Sequence, residues 1–267
     1  MRRQQLATLE RHLGVRLFDR LSSGAVLTDA GARLLSYATQ LLDLEGRLAS
    51  EVPARDGRPA GRVRLIAPES LCAYRLPAVL GELRLLAPQL RLSLAPGGTA
   101  QALQSVRAGT AEAALLLEPE MAVADVRLEP LGTEELTMVA GPDLDLPTGA
   151  VTWAQLAEHD VLLLEDGCCY SDHVARSLFA VGQPEFHRVR FASIEAIKRC
   201  VAAGLGWAVL PTVTAAAELQ AGTLVAVAGP LPPTPAVHLA THPDRTPSAG
   251  AMIVLDQLHT LWNPGSR

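Results

Sequence analysis

The chain has 267 residues, 49% hydrophobic and 19% charged, with a mean hydropathy of +0.20, a composition that excludes general disorder, collagen and coiled-coil classes and leaves room for about two domains. Four cysteines (Cys72, Cys168, Cys169 and Cys200), two of them adjacent and none in a CxxC pair, exclude a disulfide scaffold and a metal-ligand motif, and fit a reducing, cytoplasmic compartment. The net charge of -5 hides a split, since residues 1–62 carry 10 Arg against 7 acids while the remainder carries 13 basic against 21 acidic residues.

A small basic segment on a larger acidic body points to an anion-seeking module beside a separate domain, or else to a solvated helix surface. Lys198 is the only lysine, so the abundance of Arg reflects codon composition as much as phosphate binding. The Met1-Arg2-Arg3 start is not followed by an apolar stretch, so no secretory signal is expected. The longest uncharged run, Cys200 to Ala217, contains Gly204, Gly206 and Pro211, which break it as a membrane span.

In chain order, residues 2–13 place Leu6, Leu9 and Leu13 at helical spacing and stop at Gly14. Val15 to Phe18 alternates like a short strand, Ser22-Ser23-Gly24 supplies turn chemistry, and Val26-Leu27 makes the return. Thr28 then reads as an N-cap for a long helix with apolar positions 30, 34, 35, 38, 41, 42, 44 and 48. Such a stripe predicts pairing with a second copy, or burial against its own domain. Residues 53–62 have linker composition.

Beyond the linker, strands and helices alternate. Strands are predicted at 63–67, 90–95, 113–117, 136–140, 161–164, 188–191, 207–210, 223–227 and 236–240. Helices are predicted at 69–86 (broken near Pro77), 100–108, 152–158, 171–181, 193–203, 212–219 and 247–262. This rhythm predicts an α/β body with mainly parallel sheets covered by helices on both faces. A cleft between α/β lobes gathers strand C-termini and helix N-termini, which attract a carboxylate or another anion. Three such points stand out: Pro68-Glu69-Ser70, Gly97-Gly98-Thr99 with Thr99 as an N-cap, and Ser193 ahead of Ile194-Glu195. Capping alone is the competing explanation for each hydroxyl. Glu69 is out of place beside an anion and favours an amine or a polar neutral ligand.

The stretch Leu9-Glu10-Arg11-His12-Leu13-Gly14-Val15-Arg16-Leu17-Phe18-Asp19-Arg20 resembles the N-terminal signature of LysR-type transcriptional regulators, and Leu27-Thr28-Asp29-Ala30-Gly31 resembles the opening of their linker helix. Gly61-x-Val63-x-Leu65, Glu129-Pro130-Leu131 and Val201 to Gly206 running into Leu210-Pro211 follow in family order. The resemblance implies a winged helix-turn-helix, a linker helix that pairs subunits, and a two-lobed effector domain like a periplasmic binding protein. The implied boundaries are 1–27 for a partial winged helix-turn-helix, 28–52 for the linker helix, 53–62 for a hinge, 63–138 with 238–267 for lobe I, and 139–237 for lobe II. Crossings between lobes are expected near 139–142 and 234–238, with the last helix returning to the first lobe.

Family members carry further helices ahead of this motif, so the chain as written is expected to bind promoter DNA weakly or not at all. For DNA, Arg2, Arg3 and Gln5 are placed to reach the major groove or its phosphates, and Arg20, Ser22 and Ser23 lie where a wing touches the backbone. For a small-molecule effector, the implied contacts are Glu69, Ser70, Leu71, Gly97, Thr99, Cys169, Tyr170, Ser193 and Ile194. Leu164 to Tyr170 resembles the segment around the reactive cysteine of the family's peroxide-sensing branch, with Cys169 at that position, but Leu178 stands where the branch has its second cysteine.

No cofactor, metal or catalytic residue is expected: GxSxG, P-loop, GxGxxG and HExxH are all missing from the sequence. The expected function is therefore a ligand-responsive, oligomeric DNA-binding regulator without a membrane partner. The alternative is a cytoplasmic ligand-binding protein or co-regulator without DNA binding of its own.

Overall fold

A computed structural model describes residues 2–21, 24–35, 37–38, 41, 44, 61–119, 121–181 and 188–262. The chain divides into two compact units, Met1–Gly57 and Arg58–Arg267. In the first, α1 (Arg2–Leu13) ends at Gly14, whose left-handed φ of +69° suits a glycine stop. Strands β1 (Phe18–Leu21) and β2 (Gly24–Leu27) pair antiparallel, with Phe18 opposite Leu27. Between them and α1 the signature residues interlock around Leu17, which is only 1% exposed. The Leu17 N–H donates to Glu10 Oε1 at 2.8 Å, and its carbonyl accepts the Thr28 N–H at 3.0 Å. The Thr28 hydroxyl donates to the Arg16 carbonyl and accepts the Gly31 N–H, at 2.7 and 3.0 Å, capping the helical backbone of residues 29–35. A Cβ on Gly31 would sit 2.1 Å from the Leu17 carbonyl oxygen, so this position requires glycine. Leu41 and Leu44, further along, are exposed.

The second unit holds two five-stranded sheets. The first runs β4 (Leu90–Pro96), β3 (Gly61–Ala67), β5 (Ala113–Glu118), β12 (Ala236–Thr241), β6 (Arg127–Thr133). The other runs β11 (Val225–Ala226), β7 (Leu136–Ala140), β10 (Trp207–Pro211), β8 (Val161–Leu164), β9 (Arg188–Phe191). Central strands are continuous apolar runs, as strands buried on both faces must be: every residue of β8 and β10 is buried. In β5, Ala113, Leu115 and Leu117 face the main core, and Ala114 and Leu116 face a second cluster on the opposite side of the sheet.

The helices are α2 (Glu69–Tyr74), α3 (Leu76–Leu86), α4 (Thr99–Arg107), α5 (Trp153–Leu156), α6 (Cys169–Ala180), α7 (Ile194–Ala202), α8 (Thr212–Ala221) and α9 (Ala249–Trp262). α9 packs on α3, β3 and β6, so the chain's last helix lies on the first sheet. Helix 69–86 breaks at Arg75 rather than at Pro77, because Pro is tolerated in the first turn of the next helix. Among the described residues no helix is long and apolar enough to cross a membrane.

Two expectations are corrected. The sheets are mixed, not mainly parallel: β4, β3 and β5 are parallel, as are β10, β8 and β9, but β12 and β7 run against them. The reason is topological. β7 and β12 each enter their sheet from the other one, starting at the edge where the parallel strands end. The first crossing also falls earlier than 139–142, at Glu134–Glu135, because Leu136–Ala140 belongs to the second sheet, where it pairs with β10.

The two crossings run side by side. The Glu134 N–H donates to the Pro235 carbonyl at 3.0 Å, and the Thr212 N–H donates to the Glu135 carbonyl at 2.8 Å. The Glu134 carboxylate is 1% exposed and takes two hydrogen bonds from Arg75, at 2.7 and 3.0 Å. Removing Arg75, whose own side chain is 37% exposed, leaves the buried carboxylate without its partner. Arg75→Met is expected to destabilise the protein by about 2 kcal/mol, measured by urea unfolding. A loss below about 1 kcal/mol would show that Glu134 finds its compensation elsewhere.

Candidate functional site

A cavity of about 60 Å³ lies between the ends of the two sheets. From the first sheet its walls are Pro68, Glu69 and Ser70 after β3, Gly97 to Thr99 after β4, and Leu117 and Glu118 at the end of β5. From the second come residues 164–170 after β8, and Ile194 at the start of α7. Strand C-termini and helix N-termini from both sheets therefore meet, as expected for an open α/β cleft. A wider recess of about 290 Å³ adjoins it, sharing Glu118, Gly167, Cys169 and Tyr170 and adding His173, Arg176, Pro232 and Pro233.

Seven of the nine effector candidates reach the cavity: Glu69, Ser70, Gly97, Thr99, Cys169, Tyr170 and Ile194. Leu71 and Ser193 do not line it. Leu71 is packed in the core at 1% exposed, and Ser193 accepts the Ala196 N–H as the cap of α7. Thr99 is not the cap of its helix: Gly98 occupies that position, and the Thr99 hydroxyl donates to Glu118 Oε1 at 2.5 Å. The hydroxyl turns to the carboxylate because a charged acceptor offers the stronger bond. Of the DNA candidates, Gln5 is exposed on α1. The side chains of Arg2, Arg3 and Arg20, and all of Ser22 and Ser23, lie outside the described residues.

The cavity wall is acidic. It carries Glu69, Glu118, Glu165 and Asp166 and no basic side chain among its described lining. Burial first, then Glu165 and Glu195, hold the Glu69 carboxyl above the ordinary carboxylate value, while the Ile194 N–H and Lys198 act the other way. Glu69 Oε2 is buried without a hydrogen-bond partner. Burial also raises the Glu118 carboxyl, against the Thr99 hydrogen bond. Arg190 organises the loop behind the wall, donating to the Leu164 carbonyl at 2.7 Å and pairing with Asp172 and Asp166 at 3.0 and 3.1 Å.

Cys169 Sγ donates across the cleft to the Leu117 carbonyl at 3.1 Å. Burial, then Cys168 and Glu118, push its thiol upward, the opposite of what a reactive thiolate needs. Burial pushes Cys72 up as well, to about 11. Leu178, where the peroxide-sensing pattern has its second cysteine, is fully buried.

Sequence reasoning missed the polar bridge beside the cavity. Tyr74 of α2 donates to Glu195 of α7, and Lys198 Nζ donates to the Tyr74 hydroxyl at 2.9 Å. Lys198 also reaches Glu195 at 2.6 Å, Glu218 at 2.8 Å and the Thr214 carbonyl at 2.9 Å. Burial alone would lower the Lys198 ammonium, yet the hydrogen bonds it donates to Glu195, Glu218 and Tyr74 hold it above its ordinary value. The signal was legible: Lys198 interrupts the buried stripe Ile194, Ile197, Val201. No group of three or more metal-binding side chains occurs among the described residues.

A winged hairpin unit followed by a two-lobed α/β body with a ligand-sized cleft defines the class of ligand-responsive transcriptional regulators. Residues 56–262 match the LysR substrate binding domain. An HTH-type transcriptional regulator of Bacillus subtilis, YwqM, is 32% identical over 256 residues, spanning 94% of this chain and 86% of that protein. Two solved structures share the fold. An OxyR mutant of Corynebacterium glutamicum with bound hydrogen peroxide has a TM-score of 0.64 and 22% identity, over 98% of this chain and 82% of that one. Full-length LysG of the same organism, with bound effector Arg, has a TM-score of 0.65 and 23% identity, over 99% and 88%. The chain belongs to the LysR family of HTH-type transcriptional regulators, with a periplasmic-binding-protein-like effector domain.

The raised Glu69 carboxyl fixes the sign of a pH effect. A carboxyl raised on folding contributes stability that is fully present below its unfolded value, near 4.5, and lost as pH rises through its native value. Glu69→Gln is therefore expected to melt higher than wild type at about pH 8, with the gap closing as pH falls toward about 4.5. Equal melting temperatures at both pH values would contradict the burial of this carboxyl.

Proposed function

We propose that the cleft between the two sheets is the effector site, and that its occupancy changes how an oligomer of this chain engages promoter DNA. The reading assigns no catalytic step to the chain and places it in the cytoplasm. The observation that carries it is the convergence of Glu69, Ser70, Gly98, Thr99 and Glu118 from one sheet with Cys169, Tyr170 and Ile194 from the other around one cavity. A ligand seated there touches both lobes, so it favours the lobe arrangement it contacts best, and only such a preference passes a signal.

Residues 1–27 serve as the DNA-facing part, with Gln5 exposed on α1 and Arg2, Arg3, Arg20, Ser22 and Ser23 as its further contacts. Residues 28–52 pair two copies through the apolar stripe that leaves Leu41 67% exposed. Residues 53–62 join this part to the two lobes, each built on one of the two five-stranded sheets and divided at the crossings beside Glu134 and Pro235.

Gly98 has open space where a Cβ would be, so a larger side chain there fills the cavity without breaking the backbone. In a thermal-shift screen of a metabolite library against the full chain, compounds that stabilise wild type are expected to lose their effect on Gly98→Leu. Hits that stabilise both proteins equally would place the effector elsewhere. Leu41→Asp is expected to reduce the mass of the particle in sedimentation. An unchanged mass would assign the subunit contact to another surface.

A further inference from the structure

The inner cleft is walled by four carboxylates, Glu69, Glu118, Glu165 and Asp166, with no cation facing them among the described lining. Two cations nearby are already committed, while Arg176 lines the adjoining recess. Lys198 is held by Glu195, Glu218, the Tyr74 hydroxyl and the Thr214 carbonyl, and Arg190 by Asp166, Asp172 and the Leu164 carbonyl. The N-terminus of α7, which would attract an anion, already faces one, because the Ile194 N–H acts on the Glu69 carboxyl and favours its charged form. The other Glu69 oxygen, Oε2, is buried with no partner. A buried carboxylate oxygen left unpaired is costly, which makes a cation beside this carboxylate favourable. Glu118, by contrast, already receives the Thr99 hydroxyl. An incoming anion would meet the half-buried Glu69 and Glu118 with no cation in the described lining of the cavity to offset the repulsion.

We propose that the inner cleft binds the cationic end of a small molecule, an ammonium, amidinium or guanidinium group whose N–H bonds donate to the Glu69 and Glu118 carboxylates. This deepens the effector-site reading above and rests on it. The cavity of about 60 Å³ fits a head group of this size, and the remainder of the molecule extends into the adjoining recess beside Arg176, Pro232 and Pro233.

The test uses the full chain in titration calorimetry with putrescine and agmatine as cationic probes, succinate and benzoate as anionic probes, and calcium chloride as a bare cation. Putrescine or agmatine is expected to bind, with affinity at least tenfold weaker in Glu69→Gln and in Glu118→Gln. Glu129→Gln, on the surface beside His259, is expected to bind as wild type does. Each variant's melting curve checks that it is folded. Binding of succinate or benzoate that is lost in Gly98→Leu would overturn the cationic assignment and leave the cleft standing as the site. Calcium binding without amine binding, or no binding by either amine, overturns the assignment as well. Amine binding that survives in Gly98→Leu removes the cleft reading, and this inference with it.

Discussion

The body depends on an ion pair between a buried Glu134 and a partly exposed Arg75, at the place where its chain changes sheets. Glu134 is carried into the interior at the first crossing and would be intolerable there alone. Arg75 meets it with a two-pronged guanidinium contact, the geometry that best compensates a buried carboxylate. Arg75 occupies the break between α2 and α3, so the same residue that ends one helix secures the crossing. The return crossing is bonded alongside through Pro235. Two extended segments tied at one point make a narrow joint, and joints of a few residues are how lobes rotate about a ligand.

Around the cleft, contacts between the lobes are polar. Tyr74 meets Glu195 and Lys198, the Cys169 thiol meets the Leu117 carbonyl, and the Glu69 carboxylate meets the start of α7. Each such bond contributes modestly. On the proposed reading, a ligand adding a few comparable bonds in one arrangement of the lobes alters the balance.

Local features were legible in the sequence where one residue type answers one backbone demand. Gly31 is glycine because the Leu17 carbonyl occupies the place of its Cβ, and Thr28 is threonine because its hydroxyl caps one segment while tying down another. Strands such as Val161–Leu164 read directly from their uninterrupted apolar runs. Strand β6 escaped because Arg127 to Thr133 holds Glu129, Pro130 and Gly132, poor strand formers that fit at a sheet edge. The reversed directions of β7 and β12 could not be read from periodicity, which sets a strand's faces but not its sense. Thr99 was misassigned for a related reason: a hydroxyl beside a helix start reads as a cap unless a carboxylate from a distant strand competes for it. Glu118 is that competitor, 19 residues away.

The charge of the cleft shows the same limit from the other side. Strand ends and helix N-termini fix where a ligand sits, and they give that place a positive bias from backbone N–H groups. Side chains then decide whether the bias survives. Here the Ile194 N–H at the start of α7 acts on Glu69 from the first lobe, while Glu118, Glu165 and Asp166 line the same cavity. On the proposed reading, the fold specifies the position of the site, and the acidic side chains within it set the sign of what it accepts. Glu69 was visible as an anomaly in the sequence because it sat where an anion was expected. Its consequence emerges only when the other three carboxylates, contributed by strands and loops far apart in the chain, are found on the same wall.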